Sequence, residues 1–335
     1  MRILLTGCAG FIGFHAAKRL LSGGHTVIGV DNLNDYYDPA LKQARLNLLK
    51  AYDGFVFHQI DLMNHAALEA ASLGQDITHI LHLAAQPGVR YSLENPRSYA
   101  DSNIIGHLNV LEIARHMKGL EHLVYASSSS VYGDRPAEPE MSGGFHEQDV
   151  NRSPVSLYAA TKIGGEMMAE SYARLYDIPI TGLRFFTVYG PYGRPDMAYY
   201  MFIDKVLRGE KITLFAPDEM QRDFTYIDDI VGVLPTVLKQ APKLDKGRRH
   251  VIYNLGNSSP APLRALVSAI EAACGKPANV LIEPKPAGDV SRTFANIDMA
   301  RKDFGFNPQT SLDVGIKQCV QWYRSYKGGE LNKPI

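Results

Sequence analysis

Tyr158 and Lys162 stand four residues apart, a spacing that places both side chains on one face of a helix, one turn apart. An ammonium held near a phenol favours the phenolate. The pair is therefore expected to draw the tyrosine pKa down from its usual value of about 10 toward the range of a working general base. Thirty residues before Tyr158, the run Ser127-Ser128-Ser129-Ser130 closes an apolar stretch. A hydroxyl there, Ser128 first and Ser127 beside it, could pass a proton or hold a substrate oxygen. A base that removes a hydroxyl proton while the carbon gives up hydride is the protein's share of nicotinamide chemistry.

The acceptor for that hydride has its own signal at the start of the chain. Gly7-Cys8-Ala9-Gly10-Phe11-Ile12-Gly13 sets three glycines at intervals of three between an apolar strand and an amphipathic stretch. Gly7, Gly10 and Gly13 would let the backbone turn tightly, approach a pyrophosphate and pack a helix against the strand, with Phe11 and Ile12 in the helix N-terminal turn that faces the phosphates. Asp31, eighteen residues after Gly13, ends the next strand with Asn32 behind it. A carboxylate there accepts from ribose hydroxyls and repels a 2′-phosphate, so NAD is favoured over NADP. Asp61-Leu62 follows the third strand, where Asp61 could meet the adenine amine or could cap the helix at 64–72; both readings stand. Leu83, Ala84 and Ala85 end the fourth strand, where small residues could lie against the cofactor or simply pack closely.

These residues need elements to hold them. Strands are predicted over Arg2 to Thr6, Thr26 to Val30, Phe55 to Ile60, His79 to Leu83, Leu123 to Ala126 and Ile180 to Phe185, with helices over Ile12 to Leu21, from Asn95-Pro96 to about Met117, and over Leu157 to Tyr176. Alternation of this kind implies an α/β fold, a doubly wound parallel sheet of Rossmann type. The segment Asp223 to Leu238 reads as helix and His250 to Leu255 as strand, so the chain is expected to rejoin the first unit there. The division is residues 1–186, rejoined by about 225–258, as a dinucleotide-binding domain. A smaller α/β domain, rich in loops, takes 187–224 and 259–327, and 328–335 form a frayed tail.

Composition bounds the partners. The chain has 335 residues, 45% hydrophobic and 21% charged, with 35 basic and 35 acidic side chains. Such a balance gives no global field for nucleic acid or an anionic membrane. Cys8, Cys274 and Cys319 match neither a zinc module nor a disulfide framework and are read as packing residues, so no metal is expected. A strand begins almost at Met1 and no apolar run approaches a membrane span, which makes the cytoplasm the expected location.

Taken together, the glycine motif, Asp31, Ser128, Tyr158 and Lys162 resemble the extended short-chain dehydrogenase/reductase family, in its sugar-nucleotide branch, over nearly the whole chain. Arg184-Phe185-Phe186-Thr187-Val188-Tyr189-Gly190-Pro191-Tyr192-Gly193-Arg194-Pro195-Asp196-Met197-Ala198 is similar to the matching stretch of the UDP-glucuronate 4-epimerases, as is Asp31-Asn32-Leu33-Asn34-Asp35-Tyr36-Tyr37-Asp38. The resemblance implies NAD-dependent inversion at C4 between UDP-glucuronate and UDP-galacturonate through a 4-keto sugar, with Thr187 and Arg194 gripping the sugar carboxylate. A guanidinium suits that task because it offers paired, charge-assisted hydrogen bonds. It further implies diphosphate binding by Arg222, uridine-side contacts from Asp289 and Arg292, a substrate-facing Arg90, and Asn103 near the nicotinamide side. Each arginine could instead be a solvated ion-pair partner, and Asn103 could simply bond backbone. A homodimer built on the helices near Asn95 to Met117 and around Tyr158 is implied too.

Two related activities stay open. A UDP-glucose 4-epimerase shares the catalytic residues but has no carboxylate for Arg194, and a UDP-glucuronate decarboxylase would give pentose. A 4,6-dehydratase is disfavoured, because the acid pair it places after the catalytic hydroxyl is here Ser129-Ser130.

Overall fold

Short, wholly buried strands dominate the first half of the chain, as they must in a sheet covered on both faces. The structure is a computed structural model that describes residues 1–134, 144–149, 153–243, 249–285 and 290–331. Its elements run β1 (Arg2–Thr6), α1 (Phe11–Ser22), β2 (Thr26–Asp31), α2 (Pro39–Leu49), β3 (Phe55–Gln59), α3 (His65–Ser72), β4 (His79–His82), α4 (Tyr91–Glu94), α5 (Pro96–Tyr99), α6 (Gly106–His116), β5 (His122–Ser128), α7 (Leu157–Tyr176) and β6 (Ile180–Phe185). There follow β7 (Thr187–Tyr189), α8 (Ala198–Arg208), β8 (Lys211–Phe215), β9 (Gln221–Tyr226), α9 (Ile227–Lys239), β10 (His250–Leu255), β11 (Pro260–Pro262), α10 (Leu263–Cys274), β12 (Asn279–Glu283), α11 (Asp298–Phe304) and α12 (Leu312–Leu331).

Seven parallel strands form the main sheet in the order β10-β6-β5-β4-β1-β2-β3. Alternation along β1 divides the core. Ile3 and Leu5 face one layer with Phe14 of α1 and Val231 of α9, whereas Leu4 faces the other with Leu68 of α3, Leu111 of α6 and Ala169 of α7. The strand order reverses between β1 and β4, and the crevice beyond their C-terminal ends is where such a fold binds a ligand. A three-stranded sheet, β11-β9-β7, and the parallel pair β12-β8 lie outside the main sheet.

Four expectations need correction. The helix expected from Asn95 onward is interrupted: α5 gives way to a π-helical turn at Ala100–Ile105 before α6 begins. Residues 223–226 are strand rather than helix, because β9 pairs with β7 and β11 and α9 starts only at Ile227. The segment beyond Pro260 is less loop-rich than its prolines implied, since α10 and α12 carry buried apolar faces through Leu266, Ile270, Ile316 and Val320. α12 also continues past Gly328, where the tail was expected to begin.

Candidate active site

The glycine loop is shaped by contacts that only glycine tolerates. Gly7 ends β1 at φ +74°, and a Cβ on it would lie 2.7 Å from the Ala84 backbone nitrogen. A Cβ on Gly13 would lie 1.9 Å from the Gly7 carbonyl oxygen, so α1 packs on the loop at backbone distance. Gly10 precedes α1 without any side-chain cap, leaving the first-turn N–H groups aimed at the crevice. Asp31, buried at the end of β2, accepts from the N–H of Ala9 at 3.1 Å and of Leu33 at 2.9 Å, and so fixes the loop as well as edging the cavity.

That cavity encloses about 760 Å³. Gly7, Gly10, Phe11, Ile12, Gly13, Asp31, Asn32, Asp61, Leu62, Leu83, Ala84 and Ala85 line one part, as a dinucleotide would require. Asn32 donates to Asp61 at 2.9 Å. The helix-cap alternative for Asp61 falls, since the N–H of Ala67 in α3 is held by Asn64. Asn103 bonds backbone, the alternative left open for it. It lies in the π-helical turn outside the lining, accepts from the Gln86 N–H at 2.7 Å, and donates to Gln86 O and Thr161 Oγ1 at 3.1 Å each. It clamps the loop after β4 to α7 and touches the cofactor space only through Gln86.

Ser128, Tyr158 and Lys162 meet in the same cavity. Ser128 Oγ accepts from the Ser130 N–H and pairs with the Ser130 hydroxyl, both at 3.1 Å, which leaves its own proton free for the phenol of Tyr158. Burial raises the Tyr158 phenol, while a hydrogen bond from Ser128 and the charge of Arg194 pull it down. The net direction is upward, against the expectation from the helical pair. The reason is where the ammonium goes: Lys162 Nζ donates to the Ala126 carbonyl of β5 at 2.9 Å and stands 5.9 Å from the Tyr158 ring centre. Burial lowers Lys162 itself to about 8, opposed by Glu166.

Ser127 also lines the cavity, but its hydroxyl proton is committed elsewhere. Successive strand side chains point to opposite faces, and Ser127 Oγ donates to Glu166 at 2.6 Å. Glu166 is itself forked to Arg184 by two bonds of 2.8 Å, a fully buried pair beneath the site.

Thr187, Arg194, Arg222 and Arg90 line the other part of the cavity. The Arg194 guanidinium is bound through Nε and Nη2 to the two carboxylate oxygens of Asp196, at 3.0 and 2.9 Å. Despite its burial, Asp196 keeps the Arg194 charge firmly in place, and Arg194 in turn lowers the Asp196 carboxyl. Arg222 Nη1 donates to the carbonyls of Gln221 and Ser291, and Arg90 lies 4.9 Å over the Phe215 ring. Arg292 bridges beside Gln221 but stands outside the lining, stacked 5.0 Å over Phe294, with no partner for its buried Nε among the described residues. Asp289 lies outside the described residues.

Residues unforeseen from sequence complete the site. Tyr36 donates to Asp196 at 3.0 Å, and Arg45, fully buried, bonds carbonyls of both the glycine loop and the 190s loop. Both neighbour motifs already singled out, yet their partners lie far off in sequence. Cys8, Cys274 and Cys319 are free and buried. Among the described residues no cluster of three His, Cys, Asp or Glu could hold a metal, and no helix is long and apolar enough to cross a membrane.

Comparison with known proteins agrees with this geometry. Residues 3–256 match the NAD dependent epimerase/dehydratase family. UDP-glucuronate 4-epimerase 6 of Arabidopsis thaliana is 46% identical, over 98% of this chain and 72% of its own length. A probable UDP-glucuronate 4-epimerase of Rhizobium meliloti (strain 1021) is 44% identical, over 96% and 97%. The crystal structure of UDP-glucuronic acid 4-epimerase from Bacillus cereus, in complex with UDP-glucuronic acid and NAD, superposes with a TM-score of 0.87 at 33% identity, covering 97% of this chain and 100% of that one. With a Rossmann-type sheet, a glycine loop at its switch point and a Ser-Tyr-Lys set in the same cavity, the chain belongs to the NAD dependent epimerase/dehydratase family.

Proposed function

We propose that the protein inverts C4 of UDP-glucuronate to give UDP-galacturonate, using tightly held NAD. The observation that carries this reading is one cavity holding Ser128, Tyr158 and Lys162 near one part and Thr187 with the guanidinium of Arg194 near another. A neutral sugar would have no use for that guanidinium, and the similarity to UDP-glucuronate 4-epimerases across nearly the full chain supports the same substrate.

Bound NAD supplies the acceptor and then the donor of the C4 hydrogen as hydride. The glycine loop and the α1 N-terminus hold its pyrophosphate and Asp31 its adenosine ribose. Tyr158 takes the C4 hydroxyl proton and later returns it, so acid and base are one residue and no net proton is consumed. Ser128, bonding the same oxygen, stabilises the phenolate form of Tyr158. Buried Lys162 holds positive charge near the phenol ring while anchored to β5. Arg222 and Arg90, with Arg292 behind them, bind the UDP end, and the family resemblance assigns Asp289 to that end as well. Between the two half-reactions the keto sugar turns about its link to the diphosphate, presenting its other face. Because this intermediate is a β-keto acid, Thr187 and Arg194 serve to hold its carboxylate against loss of carbon dioxide.

Incubation with UDP-glucuronate and NMR of the products tests the reading. UDP-galacturonate without pentose is expected; mainly UDP-xylose or its 4-keto precursor would make the protein a decarboxylase, and faster turnover of UDP-glucose would make it a neutral-sugar epimerase.

The same reading assigns substrate binding to 187–224 and 259–327 and cofactor binding to 1–186 with 225–258. It also places the enzyme in the cytoplasm, feeding polysaccharide assembly, as a homodimer. Exposed Leu157, Met167, Leu175 and Tyr176 on α7 and Ile105 at the end of the π-helical turn support the last point. Sedimentation as a 37.1 kDa monomer alone would remove it.

A further inference from the structure

Arg194 sits in a loop of glycines and prolines, a poor mount for a side chain with four rotatable bonds, yet its guanidinium is fixed by bonds from the protein itself. Asp196 takes the Nε and Nη2 edge, and Asp196 Oδ2 accepts a second bond from the Tyr36 hydroxyl at 3.0 Å. Nη1 has no hydrogen-bond partner among the described residues. Tyr36 is itself rigidly aimed. It packs against Tyr91 at 4.8 Å, and Gly88, at φ +99°, leaves room for its hydroxyl where a Cβ would stand 2.7 Å away. Tyr36 belongs to the β2–α2 segment and Asp196 to the 190s loop, the two stretches that the sequence sets apart, and this bond joins them across 160 residues.

We infer that Asp196, braced by Tyr36, is a positioning residue that holds the Arg194 fork with its Nη1 edge toward the sugar, and so determines how firmly the substrate carboxylate is kept in place. The inference rests on the proposed UDP-glucuronate reaction. A guanidinium anchored along one edge cannot pivot, so a carboxylate bound to its other edge keeps one orientation. Without the anchor the fork and carboxylate swing together, and the C5–C6 bond can align with the C4 carbonyl. In that side reaction the C5–C6 bond breaks, its electron pair passes into the carbonyl as an enolate, carbon dioxide leaves, and C5 takes a proton from water to give a 4-keto pentose.

The test measures the ratio of decarboxylated to epimerised product from UDP-glucuronate, by NMR, for wild type, Asp196→Asn and Tyr36→Phe. The ratio does not depend on how much enzyme is folded, so a merely structural role leaves it unchanged. Loss of the ion-pair anchor should raise the ratio and KM about tenfold in Asp196→Asn, with the single hydroxyl-to-carboxylate bond lost in Tyr36→Phe worth about threefold. Wild type that makes no UDP-galacturonate overturns the proposed function and this inference together. Wild type that epimerises, with an unmoved ratio in Asp196→Asn, overturns the inference alone. Should Asp196→Asn fail to fold, Tyr36→Phe, which removes one hydroxyl, decides: a threefold rise supports the inference and a wild-type ratio ends it.

Discussion

Replacing Gly13 with alanine adds one methyl group at the tightest point of the molecule. The new Cβ would stand 1.9 Å from the Gly7 carbonyl oxygen, 2.8 Å from the Gly7 carbonyl carbon and 3.2 Å from Cys8 Cα. All three are backbone atoms of a loop pinned by Gly7 N–H to Val30 O at 2.7 Å and by Ala9 N–H to Asp31 at 3.1 Å, so no side chain can give way. The start of α1 must retreat by about 1.5 Å to restore van der Waals contact. Overpacking of this kind costs about 1–3 kcal/mol of stability. The larger effect falls on the cofactor, whose pyrophosphate meets those same N–H groups: a displacement of about 1 Å in a positioned group weakens its function on the order of a hundredfold. Cofactor retained after gel filtration and the NAD dissociation constant by calorimetry would read this out. Gly232→Ala is the control, since it lies exposed within α9 with nothing within 4 Å and should gain about 1 kcal/mol from helix propensity. A Gly13→Ala protein that binds NAD within twofold of wild type would refute the claim that loop and helix pack at glycine distance.

Ser128→Ala should lower kcat about a hundredfold and move the rising limb of the pH profile to higher pH, because it removes the hydrogen bond that pulls the Tyr158 phenol down; an unshifted limb would separate Ser128 from the base. Burial holds His15, His107 and His122 near pKa values of about 4, 3 and 4, so the unfolded chain binds protons that the native state refuses and stability falls as pH drops below about 6.5. Three such groups remove about 4 kcal/mol between pH 7.5 and 5.5, Asp223, lifted to about 6, returns about 1, and urea midpoints equal at the two pH values would contradict the sum. Glu166→Gln strands the buried Arg184 charge and should cost about 3–5 kcal/mol by urea unfolding, whereas a loss under 1 kcal/mol would show the pair to be dispensable.

What the sequence disclosed followed from local spacing. The glycine loop, Asp31 and the Tyr158/Lys162 pair each depend on contacts within one turn or one strand end, and all six strands predicted up to Phe185 match to within a residue or two. The serine run was harder. Strand alternation says that Ser127 and Ser128 face opposite ways, but only the register of β5 against β6 tells which of them meets α7 at Glu166. The two readings of Asn103 could not be separated from sequence, because its partners, Gln86 and Thr161, come from two other segments and the π-helical turn that aims it has no signature in residue type. Residues 223–226 read as helix because they run into a true helical pattern, whereas the strand exists through pairing with β7 and β11. The role of Lys162 required knowing that the Ala126 carbonyl lay within its reach.

Arg45 shows most clearly why the two ends of the cavity act as one piece. On the sequence it is one basic residue of an amphipathic helix, α2; in the structure it is fully buried. Its Nε and Nη2 donate to the Tyr192 carbonyl at 3.1 and 2.7 Å, Nη2 also to Gly193 O at 3.1 Å, and Nη1 to Ala9 O at 2.8 Å and the Tyr37 hydroxyl at 2.6 Å. A guanidinium has five N–H groups, and here they make five bonds; a lysine, with three, could not hold the same set. None of the acceptors is a carboxylate. The positive charge is therefore not tied up in an ion pair of its own, and in the proposed function its place behind the glycine loop favours the pyrophosphate. The same side chain grips the carbonyls two residues and one residue before Arg194, whose own fork is tied through Asp196 to Tyr36, in the segment that leads into α2. The frame thus closes on itself: glycine loop to Arg45, Arg45 to the 190s loop, Arg194 to Asp196, and Asp196 back to the segment before α2. A cofactor that orders the glycine loop thereby also steadies the mount of the guanidinium proposed to hold the sugar acid.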